Sequence, residues 1–287
     1  MINLNTLRYY KKRLFRKVNF YKGSIQNNLI KAYWYDKVSN FGDFLTPELL
    51  KSYGYTPINC SKSNAQLLLI GSILDDVSEN FSGIILGSGL LYDQPKYLPH
   101  AKILAVRGKL TREKIGAPEN VMLGDPGLLV DKLIRRQRKK RYRLGVVLHY
   151  MDQGDERINR IKIRYHSDVR VINVSQKIDS FIKNVDQCEH IISSSLHGII
   201  TAHSLEIPSA WIYLSDKVLG HGFKFRDYAS AFDTILEPNY LDGSESLSDL
   251  VKMTQPVPDK VEQLKDNFDY AFQNLGALLG LKGDHVA

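Results

Sequence analysis

The sequence has few of the residues that cross-link, anchor or export a protein. Its 287 residues include two cysteines, Cys60 and Cys188, too few and too far apart for a disulfide framework or a CxxC metal site. No stretch approaches the ~18 consecutive apolar residues of a membrane-spanning helix. The N-terminus lacks the apolar core and cleavage site of a secretory signal. We therefore expect a soluble, cytoplasmic protein whose thiols stay reduced.

Common cofactor-binding motifs are missing as well. The glycine-containing loops follow neither the GxGxxG pattern of dinucleotide-binding folds nor the GxxxxGK[ST] pattern of P-loops. His197 and His203 are six residues apart, which places them on different faces of a helix. They therefore do not predict a shared metal site, and His203 is interpreted as a packing residue. We expect no metal and no cofactor.

The net charge of +8 comes from two short segments. Residues 1–35 contain eight Lys or Arg and no acid, and residues 131–143 contain eight more against one acid. The remainder carries 23 basic and 30 acidic residues. A nucleic-acid binder usually spreads cations over a folded face with stacking aromatics, so nucleic acid is not expected as a partner.

The basic N-terminal leader, residues 1–28, has two interpretations. Its apolar residues recur at roughly helical spacing between cations, which is typical of an amphipathic helix on an anionic membrane surface, here through residues 1–20. It is equally compatible with a solvated leader that packs a few apolar side chains on the body. The run 131–143 is interpreted as a solvated linker, because dense like charges repel one another.

Short apolar runs alternate with helical patterns twice along the chain, which predicts an α/β fold. The runs Leu67–Ile70 and Leu144–Leu148 are continuous, as in strands buried on both faces of a parallel sheet. We expect two Rossmann-like, doubly wound halves, residues 29–130 and 144–287, that face a cleft at the carboxyl ends of their strands. Apolar spacing over 259–279 predicts a long C-terminal helix that packs back across the body.

Polar residues follow several predicted strands, at the edge where such folds bind ligands. A turn with a helix cap would explain the segment from Asn40 to Asp43 equally well. Arg107 offers a planar fork for a carboxylate or phosphate, or else forms a surface ion pair. His149 is interpreted as either functional or incidental. The candidates in these loops are Asn40, Gly42, Asp43, Ser72, Ser88, Arg107 and His149.

The densest group of polar residues spans 193–198. There a predicted strand delivers three hydroxyls and an imidazole to the start of a helix, through Ser193, Ser194, Ser195, His197 and Gly198. Free backbone N–H groups and the positive end of the helix dipole favour an anion at such a position. Beside a bound phosphate, His197 would hold its proton at neutral pH and act as a general acid.

These segments, in this order, resemble the polysaccharide pyruvyl transferase family. The resemblance runs from about residue 30 to 230 and rests on Asn40-Phe-Gly-Asp43, Val106-Arg107-Gly108, Gly124-Asp125-Pro126, 193–198 and Ala202–Pro208. It implies a fold like the two-domain GT-B glycosyltransferases. It also implies transfer of the pyruvyl group of phosphoenolpyruvate, the donor substrate, onto two hydroxyls of a sugar, giving a pyruvate ketal and phosphate.

One position departs from the family pattern. Many members carry an arginine two positions before the histidine of the last motif, where this chain has Ser195. Either Arg107 then handles the donor with the serine hydroxyls, or the later segment supplies Lys224 or Arg226. A diverged member with another donor is a further alternative.

The implied chemistry assigns roles to the candidates. Arg107 would bind the carboxylate, and the first serines of 193–198 with the helix start would hold the phosphate. His197 would protonate the methylene carbon, while Asp43 or His149 would act as base or acceptor clamp. The acceptor would be a sugar of a surface or capsular polysaccharide, or its lipid-linked repeat unit. That acceptor would place the protein at the inner face of the cytoplasmic membrane.

Two other functions stay open from the residues. A GT-B glycosyltransferase with a nucleotide-sugar donor would share the two-domain cleft and would use an acid such as Asp233 or Glu237 to bind the ribose. A sugar-binding or scaffold protein of the same fold would bind ligands without releasing phosphate.

Overall fold

The computed structural model describes residues 28–38, 40–136 and 139–281. Residues 1–20, for which a membrane-surface helix is one of the two interpretations, lie outside the described residues. None of the helices within the described ranges combines the length and the apolar character needed to cross a bilayer.

The elements alternate between strand and helix along most of the chain. The strands are β1 Leu29–Tyr33, β2 Thr56–Asn59, β3 Leu67–Leu68, β4 Ile84–Leu86, β5 Lys102–Val106, β6 Met122–Leu123, β7 Tyr142–Leu148, β8 Val169–Asn173, β9 Cys188–Ser193, β10 Ser209–Tyr213 and β11 Asn239–Tyr240. The helices are α1 Phe41–Ser52, α2 Lys109–Lys114, α3 Glu156–Arg164, α4 Ile178–Asp186, α5 Leu196–Ser204, α6 Phe223–Ser230, α7 Leu247–Lys252, α8 Val261–Gln273 and α9 Leu275–Leu278. Short 3₁₀ helices cover Lys62–Asn64, Pro126–Leu133 and Tyr150–Asp152.

The strands form two parallel sheets, which confirms the α/β prediction. The first sheet has the order β2-β1-β3-β4-β5-β6 and the second the order β8-β7-β9-β10-β11, with parallel pairing throughout. Helices cover both faces, so the central strands are buried on both sides, as their continuous apolar runs indicate. In each sheet the strand order reverses once, between β1 and β3 and between β7 and β9.

The first helix begins earlier than the sequence indicates. The sequence pattern from Phe44 to Tyr53 predicts a helix with Pro47 in its first turn. The helix α1 instead starts at Phe41, so Pro47 lies in its second turn. Asn40 takes an extended conformation just before the helix and makes no side-chain cap to it. Because proline has no N–H, the Asp43 carbonyl loses its usual helical hydrogen-bond donor at Pro47. The site loop is therefore part of a helix rather than a free turn.

The two sheets share one apolar core. The largest buried cluster includes Ile30 and Leu45 from the first half, Ile191 from the second, and Phe268 from α8. At the boundary the Phe41 and Phe181 rings stack with centroids 3.9 Å apart. This continuous burial joins the halves by the hydrophobic effect.

The C-terminal helix packs back across the first half. The hydroxyl of Tyr55 donates to the Phe272 carbonyl at 3.2 Å and accepts from the Gly276 N–H at 2.9 Å. The predicted helix over 259–279 is divided at Asn274 into α8, which ends at Gln273, and α9, which begins at Leu275.

The basic run 131–143 is shorter as a linker than the sequence indicates. Its first residues end the 3₁₀ helix and its last ones begin β7, which leaves residues 134–141 between them. Arg136 pairs with Glu206 at 2.8 Å, and the Lys140 ammonium donates to the Asp186 carbonyl at 2.7 Å. These side chains are held against the second half rather than spread by repulsion, since acidic partners lie within reach.

Candidate functional site

The two reversal points of strand order meet at the carboxyl ends of the strands, where open α/β sheets bind ligands. Asn40 and Asp43 follow β1, and His149 follows β7. His197 lies in the first turn of α5, just after β9. The chain passes there from strand to helix, since β9 ends at the buried Ser193 and α5 begins at Leu196. This arrangement brings residues about 150 positions apart in sequence into one cluster.

His197 lies against the backbone of the opposite half. A β-carbon added to Gly42 would come within 2.0 Å of its Nδ1, so the imidazole fills the space that a side chain there would occupy. The ring is 12% exposed and its surroundings are polar. Burial, followed by the charges of Lys224 and Arg107, lowers the pKa of His197 to about 3. Without a bound anion the imidazole is therefore neutral at pH 7.

Asp43 is the carboxyl group on the first side of the site. Its Oδ2 accepts a hydrogen bond from the Asn40 amide at 2.9 Å. Burial raises the pKa of Asp43 to about 6, although the Asn40 hydrogen bond and the nearby Lys224 charge oppose the increase. Asp43 can therefore gain or lose a proton near neutral pH, as general acid–base chemistry requires.

Lys224 on α6 supplies the positive charge of the site. This half-buried ammonium makes no hydrogen bond or ion pair with any residue in the described part of the chain. Burial, with the repulsion of Arg107, lowers the pKa of Lys224 to about 8, while Asp43 and Asp152 act in the opposite direction. Arg226, the other candidate, is exposed, lies over Trp211 and donates to the His221 carbonyl at 3.1 Å. Of these two cations, only Lys224 shifts the pKa values of Asp43, His149 and His197.

Arg107 does not have the role that the sequence indicates. It is fully buried, its Nε donates to Asp227 Oδ2 at 2.8 Å, and one terminal nitrogen donates to Ser72 Oγ at 2.6 Å. The other terminal nitrogen donates to the Leu90 carbonyl. The guanidinium is therefore out of reach of a ligand, and its ion pair is internal rather than on the surface.

The three serines of 193–198 are all buried, and they differ in their hydrogen bonds. Ser193 is buried, and its hydroxyl donates to the Val147 and Ser195 carbonyls. It therefore does not reach a ligand, contrary to the prediction from the sequence. Ser194 accepts from the His149 N–H at 3.0 Å. The Ser195 hydroxyl precedes α5 without capping it. Gly198 has no room for a side chain, because an added β-carbon would lie 2.3 Å from Ser193 Oγ.

His149 follows β7 of the second sheet, and Ser88 follows β4 of the first sheet. His149 Nδ1 accepts from the Met151 N–H at 3.3 Å, which leaves Nε2 as the protonated nitrogen of the neutral ring. Burial, assisted by Lys224, lowers the pKa of His149 to about 3. The Ser88 hydroxyl is buried without a hydrogen-bond partner among the described residues.

Sequence reasoning missed the side chain of Asp125, which the structure brings to His197. The segment 124–127 indicates a turn, and Asp125 does cap the following 3₁₀ helix by accepting from the Gly127 N–H at 2.8 Å. Its other oxygen, Oδ2, is buried without a partner and lies 3.9 Å from His197 Nε2. Burial raises the pKa of Asp125 to about 7. The sequence signal for Asp125 was its place in Gly124-Asp125-Pro126, one of the segments on which the family resemblance rests.

Two further expectations concern metals and nucleotide sugars. Within the described ranges, no group of three His, Cys, Asp or Glu side chains is placed to hold a metal ion. Asp233, the candidate ribose ligand, is exposed and forms ion pairs with Lys109 and Lys260. Its carboxylate therefore lies on the surface rather than in the site.

Comparison with known proteins identifies the family. A family model described as polysaccharide pyruvyl transferase matches residues 1–216, which is most of the chain. The chain belongs to the polysaccharide pyruvyl transferase family, as the resemblance of its motifs indicates.

Two relatives add detail. The succinoglycan biosynthesis protein ExoV of Rhizobium meliloti (strain 1021) is 24% identical over 238 residues, which cover 77% of this chain and 70% of that protein. An uncharacterized protein of Acanthamoeba polyphaga mimivirus is 34% identical over 180 residues, covering 59% of this chain. The chain spans 61% of the length of that viral relative.

Proposed function

We propose that the protein transfers the pyruvyl group of phosphoenolpyruvate onto two hydroxyls of one sugar, in a polysaccharide or its lipid-linked repeat unit, and releases phosphate. The Lys224 ammonium carries the proposal, because it lies without a counter-ion among the described residues, close enough to Asp43, His149 and His197 to shift their pKa values. A partly buried ammonium is costly unless an anion balances it, so an anionic ligand is expected beside it. The family and the name of the ExoV relative support pyruvyl transfer in polysaccharide synthesis.

Phosphoenolpyruvate carries two anions, and the cluster offers two matching features. Lys224 would bind one of them. The first N–H groups of α5, with the Ser195 hydroxyl that does not cap this helix, would bind the other. Since Arg107 is held by Asp227, Lys224 takes the place of the arginine that many family members carry in the last motif.

The reaction requires three proton transfers: one to the donor and one from each of the two sugar hydroxyls. A proton added to the methylene carbon of the donor makes C2 electrophilic, and the first sugar hydroxyl bonds to C2 while losing its proton to a base. The second hydroxyl then bonds to C2, the C2–O bond to phosphate breaks, and the second hydroxyl proton leaves with the phosphate. The products are one ketal and one phosphate, so no further reactant is required.

The side chains of the cluster suit these steps. His197 would give the proton to the methylene carbon, after the negative charge of the bound donor has raised its pKa. Asp43, with a pKa of about 6, is mostly ionised at neutral pH and would accept the proton of the first hydroxyl. The Nε2–H of His149 would donate a hydrogen bond to the acceptor sugar.

The acceptor would enter along a groove that is partly lined by Asn40, the hydrogen-bond partner of Asp43. This groove has a volume of about 390 Å³ and is lined by Asn40, Phe44 and Glu48 from the first half and by 175–179 from the second. The volume is within the range of ordinary ligand pockets. The two halves would thus face each other across the site as in GT-B enzymes. The protein would act in the cytoplasm, with residues 1–20 bringing it to the membrane that carries a lipid-linked acceptor.

The test is phosphate release from phosphoenolpyruvate in the presence of acceptor oligosaccharides, including succinoglycan fragments freed of pyruvate by mild acid. The expected product is an acid-labile ketal seen by mass spectrometry, formed in equal amount with phosphate. H197A should lower the rate by about 10²–10⁴. H190A is the matched control, since His190 lies at the amino end of β9 and bonds to Thr254.

Three results would contradict the proposal. Turnover of a nucleotide sugar without use of phosphoenolpyruvate would make the protein a glycosyltransferase. Binding of phosphoenolpyruvate without phosphate release from any acceptor would favour a binding or scaffold role. An H197A variant that keeps more than about a tenth of the rate would exclude His197 as the acid.

A further inference from the structure

Two buried polar atoms of the site face each other without a hydrogen-bond partner. Asp125 Oδ2 and His197 Nε2 are both inaccessible to solvent and unpaired within the described residues. They are 3.9 Å apart. A hydrogen bond would require them to approach by roughly 1 Å. Buried polar groups are rarely left unpaired, so this arrangement requires a functional reason.

The remaining atoms of both side chains are already fixed. Asp125 Oδ1 accepts from the Gly127 N–H at 2.8 Å, which directs Oδ2 toward the imidazole. On the other side, His197 Nδ1 lies against Gly42, so the ring cannot turn without striking the backbone of α1. The only shared contact left to the two residues is the one between Oδ2 and Nε2.

We propose that Asp125 is a positioning residue that pairs with His197 Nε2 and exchanges a proton with it. The pairing fixes the ring so that Nδ1 is the nitrogen that faces the reaction. The catalytic consequence rests on the proposed function, whereas the pairing itself does not.

The proton transfer leaves the atoms balanced. In the free protein below about pH 7 the proton resides on Asp125, and His197 is neutral. When the anionic donor binds, the O–H bond at Oδ2 breaks and an N–H bond forms at Nε2, giving a carboxylate and an imidazolium. The imidazolium then gives its Nδ1 proton to the methylene carbon. The ring returns to neutral with Nε2–H bonded to the Asp125 carboxylate, and the proton that Asp43 takes from the sugar balances the one consumed.

The charges around the pair agree with this initial state. Arg107, Lys224 and His149 all disfavour a charged imidazole in the absence of an anion. For Asp125, burial outweighs the attraction of Arg107 and raises its pKa to about 7, and Asp227 adds to the increase. The remaining titratable group that faces Asp125 is Tyr228, whose pKa is raised by burial and by this carboxyl.

The pairing can be tested without turnover, by nitrogen-15 NMR of the histidine rings in the free protein between pH 5 and 9. H197Q assigns the His197 signals. In the wild type these signals should shift with a midpoint within about one pH unit of 7, because the neighbouring carboxyl titrates while the ring stays neutral. In D125N the shift with a midpoint near 7 should be absent, since the amide still accepts from Gly127 but cannot titrate. Any shift that follows Lys224 near pH 8 should be present in both proteins. The signals of His149 should be the same in both proteins.

The NMR results test the Asp125–His197 pairing independently of the proposed function. Constant His197 signals in the wild type, or an unchanged midpoint in D125N, would overturn the pairing. If D125N does not fold, carbon-13 detection of the aspartate carboxyls in the wild type gives the same answer. The pairing requires one carboxyl whose titration midpoint coincides with that of the His197 signals, and the absence of such a carboxyl would exclude it. A coupled titration in a protein that never releases phosphate from phosphoenolpyruvate would leave the pairing standing and refute the proposed function.

With turnover established, D125N should also lower kcat by more than it raises the KM for phosphoenolpyruvate and should flatten the pH profile of kcat near 7. A purely structural role would lower the amount of folded protein but leave that profile unchanged.

Discussion

The His197 imidazole occupies the space that a side chain at Gly42 would need. A β-carbon built on Gly42 lies 2.0 Å from Nδ1 and 2.4 Å from Cε1 of the ring. Gly42 belongs to α1 of the first half and His197 to α5 of the second. The close approach of the two halves at this point therefore depends on a residue without a side chain.

We predict that G42A displaces the imidazole. The added methyl group overlaps the ring, so the variant should lose about 1–3 kcal/mol of stability, as is typical of overpacked sites. It should also lose about 10²-fold in turnover, since a 1 Å shift of a catalytic group has effects of that size. Urea denaturation and phosphate release measure the two effects.

The double variant G42A/H197A is the control for this prediction. If the methyl group destabilises through the ring, removing the ring should restore part of the lost stability, and the two effects should not be additive. Additive losses would indicate that the methyl group strains the backbone of α1 instead.

Lys224 and Arg226 form a matched pair on one helix. K224M should weaken phosphoenolpyruvate binding by about 10–100-fold, because a hydrogen bond to a charged group contributes about 1.5–3 kcal/mol. R226M should bind the donor as the wild type does, because Arg226 is exposed and bonded to the His221 carbonyl. Calorimetric titration compares the two. Equal affinities in K224M and the wild type would place the donor elsewhere.

The Arg107–Asp227 pair should be critical for stability. Both side chains are fully buried, and Asp227 also accepts from the Thr111 N–H at 2.7 Å. D227N leaves the guanidinium buried opposite an amide, so we expect a loss of about 3–5 kcal/mol in urea denaturation. D233N is the control, since Asp233 pairs with two lysines on the surface and its loss should hardly move the midpoint. Similar midpoints in both variants would show that the buried pair is dispensable.

His203 should contribute to acid sensitivity. Burial lowers its pKa to about 3 in the folded state, against an ordinary value near 6.5. Between those values the unfolded chain binds one proton more than the folded one at this position, so stability rises with pH up to about 6.5. H203Q should reduce the slope of unfolding free energy between pH 4 and 6 by up to ~1.4 kcal/mol per pH unit. At pH 8 the imidazole is neutral in both the folded and the unfolded state. The free energy of unfolding of H203Q should then differ from that of the wild type only by the lost contact with Tyr228. An unchanged slope would contradict the prediction.

Local sequence patterns were sufficient to predict most strands of the two sheets. They were not sufficient to predict which side chains would meet between the sheets. Continuous apolar runs and glycine stops located most strands, because burial on both faces requires such runs. They also located Asn40, Asp43 and His197 at strand ends. Three strands were not predicted: β2, β6 and β11. Neither β2 nor β11 contains a continuous apolar run, and β6 extends over only two residues.

The errors at the site come from contacts distant in sequence. Nothing near Arg107 indicates that Asp227, 120 residues later, neutralises it. The same is true of Asp125, whose cap on Gly127 is local whereas its approach to His197 is set by the packing of two sheets. Such long-range pairing decides which cation remains free to bind a ligand. A single sequence does not show which distant residues will pair.

The internal ion pair that joins β5 to α6 also limits how a substrate can arrive. Swinging the two halves apart as a hinge would carry a guanidinium and a carboxylate through a low-dielectric interior and separate the shared apolar core. Entry and exit are therefore expected through the open side of the groove between Phe44 and residues 175–179, by small movements of side chains. An enzyme built in this way would select its carbohydrate by the fixed width of that opening.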